Sequence, residues 1–369
     1  MVNVLEYFSD SLEYGGQEIF MINMYKNFSD TNIHYTFCTP FKCTNKTLVE
    51  MTKNHGDKII AYNYDRVNFR KKLKQVAFEV LKNNHFDVVH IHSGSIYTLF
   101  NVAKIAKKCG VKTVIVHSHL TGQKNLKYML IKRYSDMFIQ KYADKFLACS
   151  LLAGEWKFPK KIIEENKCIV VKNGIDIEKF KFNKNKRDEY RKLLNLKDDE
   201  FVLCNVGRLE YQKNHEFIVE IANLLNKQNF NFKVIIVGSG SLKSDLEQKI
   251  DVYGLKDRFI FLENRNDVAE ILMASDLFVL PSRFEGLGIV AIESQASGLP
   301  TLCSKEVPTE TNLTNLISYL SLDNVKQWAN EIINLSKNKV KRENYYKEIE
   351  DAGYNAKESA KLLEELYTK

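Results

Sequence analysis

Residues 276–300, DLFVLPSRFEGLGIVAIESQASGLP, have the pattern of a strand, a turn and the start of a helix in immediate succession. The run LFVL is short, apolar and bounded by polar and turn residues, as buried strands are. Proline and glycine in PSRFEGLG favour a turn, and we expect the helix to begin near Gly288. A strand that leads directly into a helix is the repeating unit of a parallel sheet with crossover helices.

The same alternation extends in both directions along the chain. A first set of predicted strands comprises VNVLEYF, IHYTFCT, KIIAYNY, DVVHIHS, KTVIVHSH, KFLACS and CIVVKNG, and a second set comprises FVLCNVG, FKVIIVG, RFIFLEN, DLFVLP and PTLCS. Predicted helices between them include GQEIFMINMYKNF, FRKKLKQVAFEVLKN and NHEFIVEIANLLNKQ. We therefore predict an α/β fold with two Rossmann-like, doubly wound parallel sheets and helices at the C-terminal end.

The length of 369 residues suits two domains, because single cores stop growing beyond about 250–300 residues. The polar stretch KFKFNKNKRDEYRK lacks a strand pattern, and we interpret it as a hinge that leads into a helix. We predict domains over residues 1–178 and 179–345. Residues 346–369 are predicted to be helical and to pack across the domain junction.

Composition excludes several classes of protein. The first ten residues show no secretory pattern, and every apolar run is much shorter than the ~20 residues of a membrane-spanning helix. Seven scattered cysteines without a CxxC pair indicate reduced thiols, so we expect a cytoplasmic protein. The sequence shows no Ser-His-Asp order, metal triad or P-loop, so hydrolytic and phosphoryl-transfer chemistries have no residues to support them.

The formal net charge of +8 comes entirely from the first half of the chain. Residues 1–180 contain 27 Lys and Arg against 17 Asp and Glu, whereas the remainder contains 27 against 29. The excess is densest between residues 104 and 145, where only Asp136 and Asp144 are acidic. Such a face suits anionic lipid headgroups, phosphorylated acceptors or nucleic acid, and it is equally consistent with an ordinary solvated surface.

Two carboxylates, Glu285 and Glu293, flank the predicted helix start. The first turn of a helix has unpaired N–H groups and the positive end of a dipole, which together attract anions. Gly286 and Gly288 let a ligand approach the backbone. Glu285 could then accept hydrogen bonds at the helix mouth, and Glu293 could reach a second hydroxyl-bearing group. The alternative is that both are ordinary surface carboxylates beside a turn.

The spacing of Glu285 and Glu293 resembles the E-x7-E signature of retaining glycosyltransferases with the GT-B fold, family 4 in particular, and the resemblance extends over nearly the whole chain. It implies two Rossmann-like domains that face each other across a cleft, with the acceptor on the first and the nucleotide sugar on the second. It also implies that Glu285 meets the donor sugar and Glu293 the ribose. The donor-binding residues of the helix mouth would be Gly286, Leu287, Gly288 and Ile289.

The loop after FVLCNVG carries two cations, Arg208 and Lys213. In open parallel sheets ligands bind beyond the carboxyl ends of the strands, where cations can neutralise a leaving diphosphate. The family has an Arg and a Lys in this motif, so the resemblance implies that both stabilise the diphosphate.

A third element is the turn formed by Gly238, Ser239 and Gly240 after a buried strand. It is too short for a dinucleotide fingerprint because the third glycine is missing. We interpret it as a loop on the nucleotide side of the domain, although such turns are also common for purely structural reasons.

The segment RFIFLENRNDV departs from the family pattern. The family has glycine after the position of Leu262, whereas this chain has Glu263 and Asn264. The departure leaves the nucleobase contacts open, and Arg265 is a further candidate for the nucleotide site.

In the first domain, Gly15 and Gly16 follow the first predicted strand. On sequence alone a simple turn explains them equally well, and the resemblance favours the donor site.

In VIVHSH, strand alternation places His117 and His119 on one face and Ser118 on the other. The resemblance implies a histidine near the reacting sugar, and we favour His119 over His117 because it is closer to the strand end. A core or surface histidine is the alternative.

The resemblance further implies transfer from a nucleotide sugar, most commonly a UDP-sugar, with retention of anomeric configuration and without a bound metal or cofactor. The segments VHSH, ACSLLAGEW and EVPTETNLTNLISYLSL resemble family members that assemble capsular or extracellular polysaccharides. Their acceptors are saccharides on a membrane lipid diphosphate. The basic first domain would then dock on the anionic inner face of the plasma membrane, and no nucleic acid partner is expected.

Two other functions remain open at this point. A GT-B-like sugar-nucleotide 2-epimerase would share the fold and the nucleotide site but would need no acceptor. A noncatalytic binding module for membranes or nucleic acid would explain the basic half, but it would have no need for Glu285 and Glu293.

Overall fold

The computed structural model describes residues 1–13, 16–119, 126–263, 265–338, 340–342 and 345–369. The chain divides into two compact units, the first comprising residues 1–174 and 354–369 and the second residues 175–353. The boundary predicted after residue 178 is therefore placed after residue 174. The helical segment 346–369, predicted as one piece, is divided between the two units.

The first unit is built on seven parallel strands. They are β1 (Val2–Phe8), β2 (Ile33–Thr39), β3 (Lys58–Ala61), β4 (Val88–Ser93), β5 (Thr113–Ser118), β6 (Lys145–Ala148) and β7 (Cys168–Val170). Their order in the sheet is β3-β2-β1-β4-β5-β6-β7. The helices among them are α1 (Gly16–Tyr25), α2 (Lys46–His55), α3 (Phe69–Asn83), α4 (Ile96–Lys108), α5 (Leu126–Phe138), α6 (Leu151–Lys157) and α7 (Lys160–Glu164).

The second unit repeats this plan with six parallel strands. They are β8 (Phe201–Val206), β9 (Phe232–Val237), β10 (Phe259–Leu262), β11 (Leu277–Leu280), β12 (Thr301–Ser304) and β13 (Ile317–Leu320), in the order β10-β9-β8-β11-β12-β13. Its helices are α8 (Ile177–Phe180), α9 (Lys184–Leu193), α10 (His215–Lys227), α11 (Lys243–Val252), α12 (Val268–Ala274), α13 (Ile289–Ala296), α14 (Val325–Lys337) and α15 (Tyr346–Asp351). Strand β13 is an addition to the five strands predicted for this domain.

The helix boundaries follow from local capping. Asn45 begins α2 because its side chain accepts a hydrogen bond from the backbone N–H of Leu48, and Gly56, with φ of 76°, ends that helix in the left-handed conformation. Asn183 caps α9 in the same way, through the N–H of Lys186. Such caps satisfy backbone groups that have no partner within the helix.

The final helix, α16 (Ala356–Thr368), returns to the first unit. Its Leu363 joins the apolar core on one face of the first sheet, together with Val4 of β1. Its Glu364 accepts hydrogen bonds from the backbone N–H groups of Ser29 and Asp30, at 2.6 and 2.7 Å. The two faces of this sheet are therefore covered differently, one by α1 and α16 and the other by α3 and α4.

Candidate active site

The loops that follow β8 and β11 lie side by side, because the two strands are neighbours in the second sheet. The direction of strand order reverses between them, which is where ligands bind in open parallel sheets. The β8–α10 loop carries Arg208 and Lys213, and the β11–α13 loop carries Glu285. The backbone N–H of Arg283 donates to the carbonyl of Gln212 over 2.8 Å and joins the loops directly.

Glu285 is held by hydrogen bonds from three side chains. Lys213 Nζ and the Ser282 hydroxyl both lie 2.6 Å from its Oε1, and Gln212 Nε2 is 3.4 Å from its Oε2. The Glu285 side chain is only 6% exposed and that of Lys213 16%. Protein contacts therefore fix this carboxylate, and Lys213, predicted to contact a diphosphate, neutralises it.

Arg208 is exposed, and within the described residues its guanidinium forms no ion pair. Beyond it, Asn214 adopts the left-handed conformation with φ of 56° and donates to the carbonyl of Pro281, which ties the loop to the end of β11. His215 is buried at the start of α10 with neither ring nitrogen partnered by a described residue. Burial, reinforced by the charge of Lys213, lowers the pKa of His215 to about 4. This imidazole is therefore neutral beside the cationic loop.

The helix predicted near Gly288 begins at Ile289, with Gly288 as the capping residue. Gly288 has φ of 83° and makes no side-chain cap, so the first N–H groups of α13 remain available for an anion. A Cβ at this position would lie 3.3 Å from the Val307 side chain. Leu287 is buried and Gly286 is exposed, so the loop presents backbone rather than side chain at the helix mouth.

Glu293 lies on α13, one turn beyond the helix mouth, and is partly buried. Its carboxyl group has no hydrogen bond to the described part of the chain. Burial raises the pKa of Glu293 to about 7, although the charge of Lys179 opposes the shift. A carboxyl group in this state can either accept or donate a hydrogen bond near neutral pH.

The turn formed by Gly238, Ser239 and Gly240 packs against the loop that carries Arg208. The N–H of Leu209 donates to the Ser239 carbonyl over 2.9 Å. Gly238 has φ of 144°, and a Cβ there would lie 2.1 Å from the carbonyl oxygen of Gly207. Glycine is thus required for contact between the two loops, whether or not a nucleotide also approaches.

Arg265, predicted as a nucleotide ligand, is bound to Asp267 with its Nε 2.7 Å from Oδ1. Asp267 also accepts a hydrogen bond from Tyr190, so this ion pair belongs to a local network. Among the described residues Arg265 makes no contact with Glu285. Asn264, where the chain departs from the family pattern, lies outside the described residues.

Of the two glycines predicted near the donor, Gly16 begins α1 with open space beside it, and Gly15 lies outside the described residues.

His117 and His119 share one face of the first sheet, as the alternation predicted. His117 is completely buried and His119 is 7% exposed. The burial of His117 argues against its contact with a sugar, so His119 is the stronger of the two candidates.

These two histidines belong to a larger buried cluster with Glu6, His90 and His92. Within it His90 Nε2 lies 3.1 Å from His117 Nδ1, and His92 Nδ1 lies 2.9 Å from His119 Nε2. Burial alone raises the pKa of Glu6, but attraction to and hydrogen bonds from His90 and His92 hold it at about 2. Burial, with a contribution from the charge of His90, lowers the pKa of His92 to about 4.

Helix α5 is oriented with an apolar stripe toward solvent. Its exposed apolar side chains, between 53% and 75% accessible, are Leu126, Met129, Leu130, Tyr134 and Met137, and we call this stripe the α5 surface. Arg133 lies on the same exposed face. By contrast, Lys132 points toward the protein, where it pairs with Asp136 at 3.0 Å.

None of the helices in the described part of the chain combines the length and apolar composition that a membrane crossing requires.

Comparison with known proteins identifies the family to which this chain belongs. The family model described as Glycosyl transferases group 1 matches residues 186–356, and that described as Glycosyltransferase Family 4 matches residues 14–179. The UDP-Gal:alpha-D-GlcNAc-diphosphoundecaprenol alpha-1,3-galactosyltransferase of Escherichia coli is 32% identical over 273 residues, which cover 71% of this chain and 70% of that protein. The chain belongs to the family 4 glycosyltransferases.

Other similarities extend over half or more of this glycosyltransferase. EpsF of Bacillus subtilis is 27% identical over 359 residues, covering 96% of this chain and 93% of EpsF. The capsular polysaccharide biosynthesis glycosyltransferase CapM of Staphylococcus aureus is 27% identical over 196 residues, covering 50% of this chain and 49% of CapM. The crystal structure of Anabaena HepE in complex with UDP superposes with a TM-score of 0.74 at 18% identity, with all of both chains covered, which confirms the predicted GT-B fold.

Several residues around the predicted site of this glycosyltransferase were not predicted. Ser282 and Gln212, which hold Glu285, are polar residues in loops and have no distinctive spacing. Glu6, His90 and His92 did leave a recognisable pattern. Polar residues at alternate positions of an otherwise apolar strand, as in VVHIHS, face the same side and indicate a buried polar cluster.

Proposed function

We propose that this glycosyltransferase transfers a hexosyl group from a UDP-sugar to a saccharide carried on a membrane lipid diphosphate, in the assembly of a capsular or extracellular polysaccharide. The observation that carries the proposal is the Lys213–Glu285 pair beside the open N-terminus of α13. Support for the substrates comes from the E. coli relative, whose name states a UDP-Gal donor and a diphosphoundecaprenol-linked acceptor. The name of CapM supports a role in capsule assembly.

The residues of the second unit suit the departure of a nucleotide diphosphate. As the glycosidic bond of the donor lengthens, negative charge grows on the diphosphate. Arg208, the N–H groups at the start of α13, and Lys213 shared with Glu285 would stabilise that charge. Glu285 would accept hydrogen bonds from hydroxyls of the transferred sugar, and Glu293 from those of the ribose.

In the proposed reaction the acceptor hydroxyl attacks from the face that the diphosphate leaves. The new bond joins the acceptor oxygen to the anomeric carbon, the bond to the diphosphate breaks, and the acceptor proton passes to a departing phosphate oxygen. The configuration at the anomeric carbon is retained. This route requires no metal at the diphosphate, because the cations and helix N-terminus supply the positive charge.

The α5 surface would bring the first unit to the membrane that holds the acceptor. Exposed Leu126, Met129 and Leu130 can insert among lipid chains, while Arg133 and the exposed Lys141 are placed to meet anionic headgroups. The charge excess of the first half of the chain favours an anionic lipid surface as the partner. Contiguous apolar patches of this kind mark interaction sites.

Transfer is tested by incubating the purified protein with radiolabelled UDP-sugars and a synthetic polyprenyl-diphosphate saccharide. We expect label in the lipid product, with α-linkage from an α-linked donor by NMR, and loss of this activity in Glu285→Gln. Conversion of a UDP-sugar to its epimer in the absence of acceptor would instead identify an epimerase. Failure of UDP to raise the melting temperature of the folded protein would contradict both enzymatic functions.

Membrane docking is tested by cosedimentation with vesicles of phosphatidylglycerol and phosphatidylethanolamine, compared with phosphatidylcholine alone. The double variant Met129→Ser/Leu130→Ser should reduce binding to anionic vesicles at least tenfold. A matched control, Val252→Ser, removes an apolar side chain of similar exposure from the second unit and should bind normally. Equal binding of the double variant would refute the docking proposal, as would a change in its oligomeric state showing that the α5 surface joins two copies.

A further inference from the structure

The buried polar cluster of the first unit brings four imidazoles and one carboxylate together. Glu6 of β1 is paired with His90 of β4, and His92 of β4 with His117 of β5, in the register of the sheet. His119 follows β5 on the same face. The first four side chains are fully buried and His119 nearly so. Because three adjacent strands hold them, their positions are set by the sheet itself.

Hydrogen bonds orient the imidazoles on β4. Glu6 Oε2 lies 2.6 Å from His92 Nε2 and 3.2 Å from His90 Nδ1, and the Tyr367 hydroxyl is 2.7 Å from both Glu6 Oε1 and His90 Nδ1. If these nitrogens carry the protons, His90 Nε2 and His92 Nδ1 are left with lone pairs. A carboxylate that orients an imidazole in this way is the usual outer partner of a histidine metal ligand.

The free nitrogens point toward the histidines from β5. His90 Nε2 is 3.1 Å from His117 Nδ1, and His92 Nδ1 is 2.9 Å from His119 Nε2. One ligand atom each from His90, His92 and His117 lies within 4.8 Å of the others. Zinc binds imidazole nitrogen at about 2.0–2.1 Å, which separates two tetrahedral ligands by about 3.3 Å. The separation of His90 Nε2 and His117 Nδ1 is close to this value, and the His92 nitrogen, which lies within 4.8 Å of both ligand atoms, would have to move closer by at most about 1.5 Å.

Among the described residues, the only ion-pair partners of Glu6 are the imidazoles of His90 and His92. His117 Nε2 and His119 Nδ1 are buried and have no hydrogen-bond partner in the described part of the chain. A buried carboxylate whose only charge partners are imidazoles gains from a nearby cation, since an uncompensated charge in the interior is costly.

We propose that His90, His92 and His117 bind one transition-metal dication of the zinc class, and that Glu6 is its outer hydrogen-bonding partner. Imidazole suits zinc and its neighbours, whereas Mg²⁺ and Ca²⁺ require oxygen ligands. Three histidines are a known zinc ligand set, in which a water or another small ligand takes the fourth position. The metal would secure α16 to the sheet, because Tyr367 of that helix binds Glu6.

The test uses the full-length protein with its affinity tag removed, stripped of metal by a chelator and dialysed. Titration with ZnSO4 should give one bound equivalent by elemental analysis. The melting temperature should rise by roughly 5–10 °C at free zinc one hundredfold above Kd. Co²⁺ in place of zinc should give the visible absorption of a tetrahedral imidazole site. Uptake below about 0.2 equivalents, with no shift in melting, would overturn the proposal.

Substitutions of single histidines test which residues bind the metal. His117→Gln should lose zinc uptake and Co²⁺ absorption, and His90→Gln provides a second variant in case the first fails to fold. His85→Gln removes an exposed histidine outside the cluster and should retain one equivalent. If the cluster variants fold and still bind zinc as the wild type does, the metal is held elsewhere and the proposal is wrong.

Discussion

Lys213 Nζ lies 2.6 Å from Glu285 Oε1, across 72 residues of sequence, because β8 and β11 are adjacent in the second sheet. A cation suited to a diphosphate and a carboxylate suited to a sugar are thus bound to each other. In the proposed function, an incoming diphosphate would compete with Glu285 for Lys213, and sugar hydroxyls would compete with Lys213 for Glu285. Each side chain is therefore already paired before a donor binds, which lowers the cost of keeping two opposite charges in a partly buried site.

Separate substitutions of this pair should have opposite effects on binding. Glu285→Gln frees Lys213, so we expect the affinity for UDP to be unchanged or higher while the transfer rate falls about 10²-fold or more. Lys213→Ala removes the proposed phosphate ligand, so UDP affinity should fall about tenfold. Isothermal titration with UDP and initial transfer rates measure both effects.

Lys243→Ala is the matched control for these variants, because it breaks an exposed pair with Glu263 in the same unit. Exposed ion pairs contribute little, so both UDP affinity and transfer should remain within about twofold of the wild type. A comparable loss in this control would show that charge in general, rather than the Lys213–Glu285 pair, determines binding.

Glu293 should make the stability of the protein decrease with pH. Its pKa is raised to about 7 in the folded state, mainly by burial, from an ordinary value of 4.5. The folded state therefore holds this proton more tightly, and the stability that the protonated group confers is lost as pH rises from about 4.5 through 7. Glu293→Gln removes this loss.

We expect Glu293→Gln to exceed the wild type in free energy of unfolding by on the order of 2 kcal/mol at pH 8, with little difference at pH 4.5. Urea unfolding at the two pH values measures it. The same variant should bind UDP more weakly, because the proposed contact of Glu293 with the ribose is weakened. A difference in stability that does not change with pH would contradict the assignment to this carboxyl group.

Gly238→Ala should destabilise the protein and weaken UDP binding together. The added methyl group would meet the carbonyl of Gly207 at a backbone angle that side chains rarely adopt, and displacing it would move Arg208. We expect a cost of about 2–4 kcal/mol by urea unfolding. Gly254→Ala is the control, since it has φ of 65° but open space, and should cost only about 1 kcal/mol with normal UDP affinity.

Tyr367→Phe should destabilise the first unit. The variant leaves Glu6 Oε1 without its 2.7 Å hydrogen bond in a fully buried site, at a cost of about 1–3 kcal/mol. Tyr253→Phe removes a hydroxyl that also binds a carboxylate, Glu220, but in a partly exposed position, and should cost less than about 0.5 kcal/mol. Equal melting temperatures for the two variants would argue against a stabilising role for the buried contact.

The sequence predicted the repeated fold because apolar strands with intervening helices are a local pattern. Helix α3 coincides with the predicted FRKKLKQVAFEVLKN. Strand β13, ISYL, was not predicted, because a four-residue run with alternating polar positions in a polar segment gives a weak pattern. It is a strand because it pairs with β12 at the edge of the sheet, which is information that only the fold contains.

The site was predicted in part. Arg208, Lys213 and Glu285 lie on adjacent loops, as parallel strand ends require, but the ion pair between the last two could not be foreseen without the order of the strands. The depth of His117 was left open, with a core histidine as the alternative to a site residue. Alternation shows which residues share a face of a strand, but it cannot show that α1 and α16 cover that face.

The return of α16 to the first unit has a consequence for synthesis on the ribosome. Residues 1–174 emerge first, but the helix that closes their sheet is translated only after the whole second unit. At about 5–20 residues per second, the intervening 175–353 take roughly 10–35 seconds. During that interval α1 already packs on the face with Glu6, His90 and His92, but the part of it that α16 covers is open to solvent. The nascent first unit must therefore remain soluble with an incomplete core, and a metal ion could enter the cluster before α16 covers it.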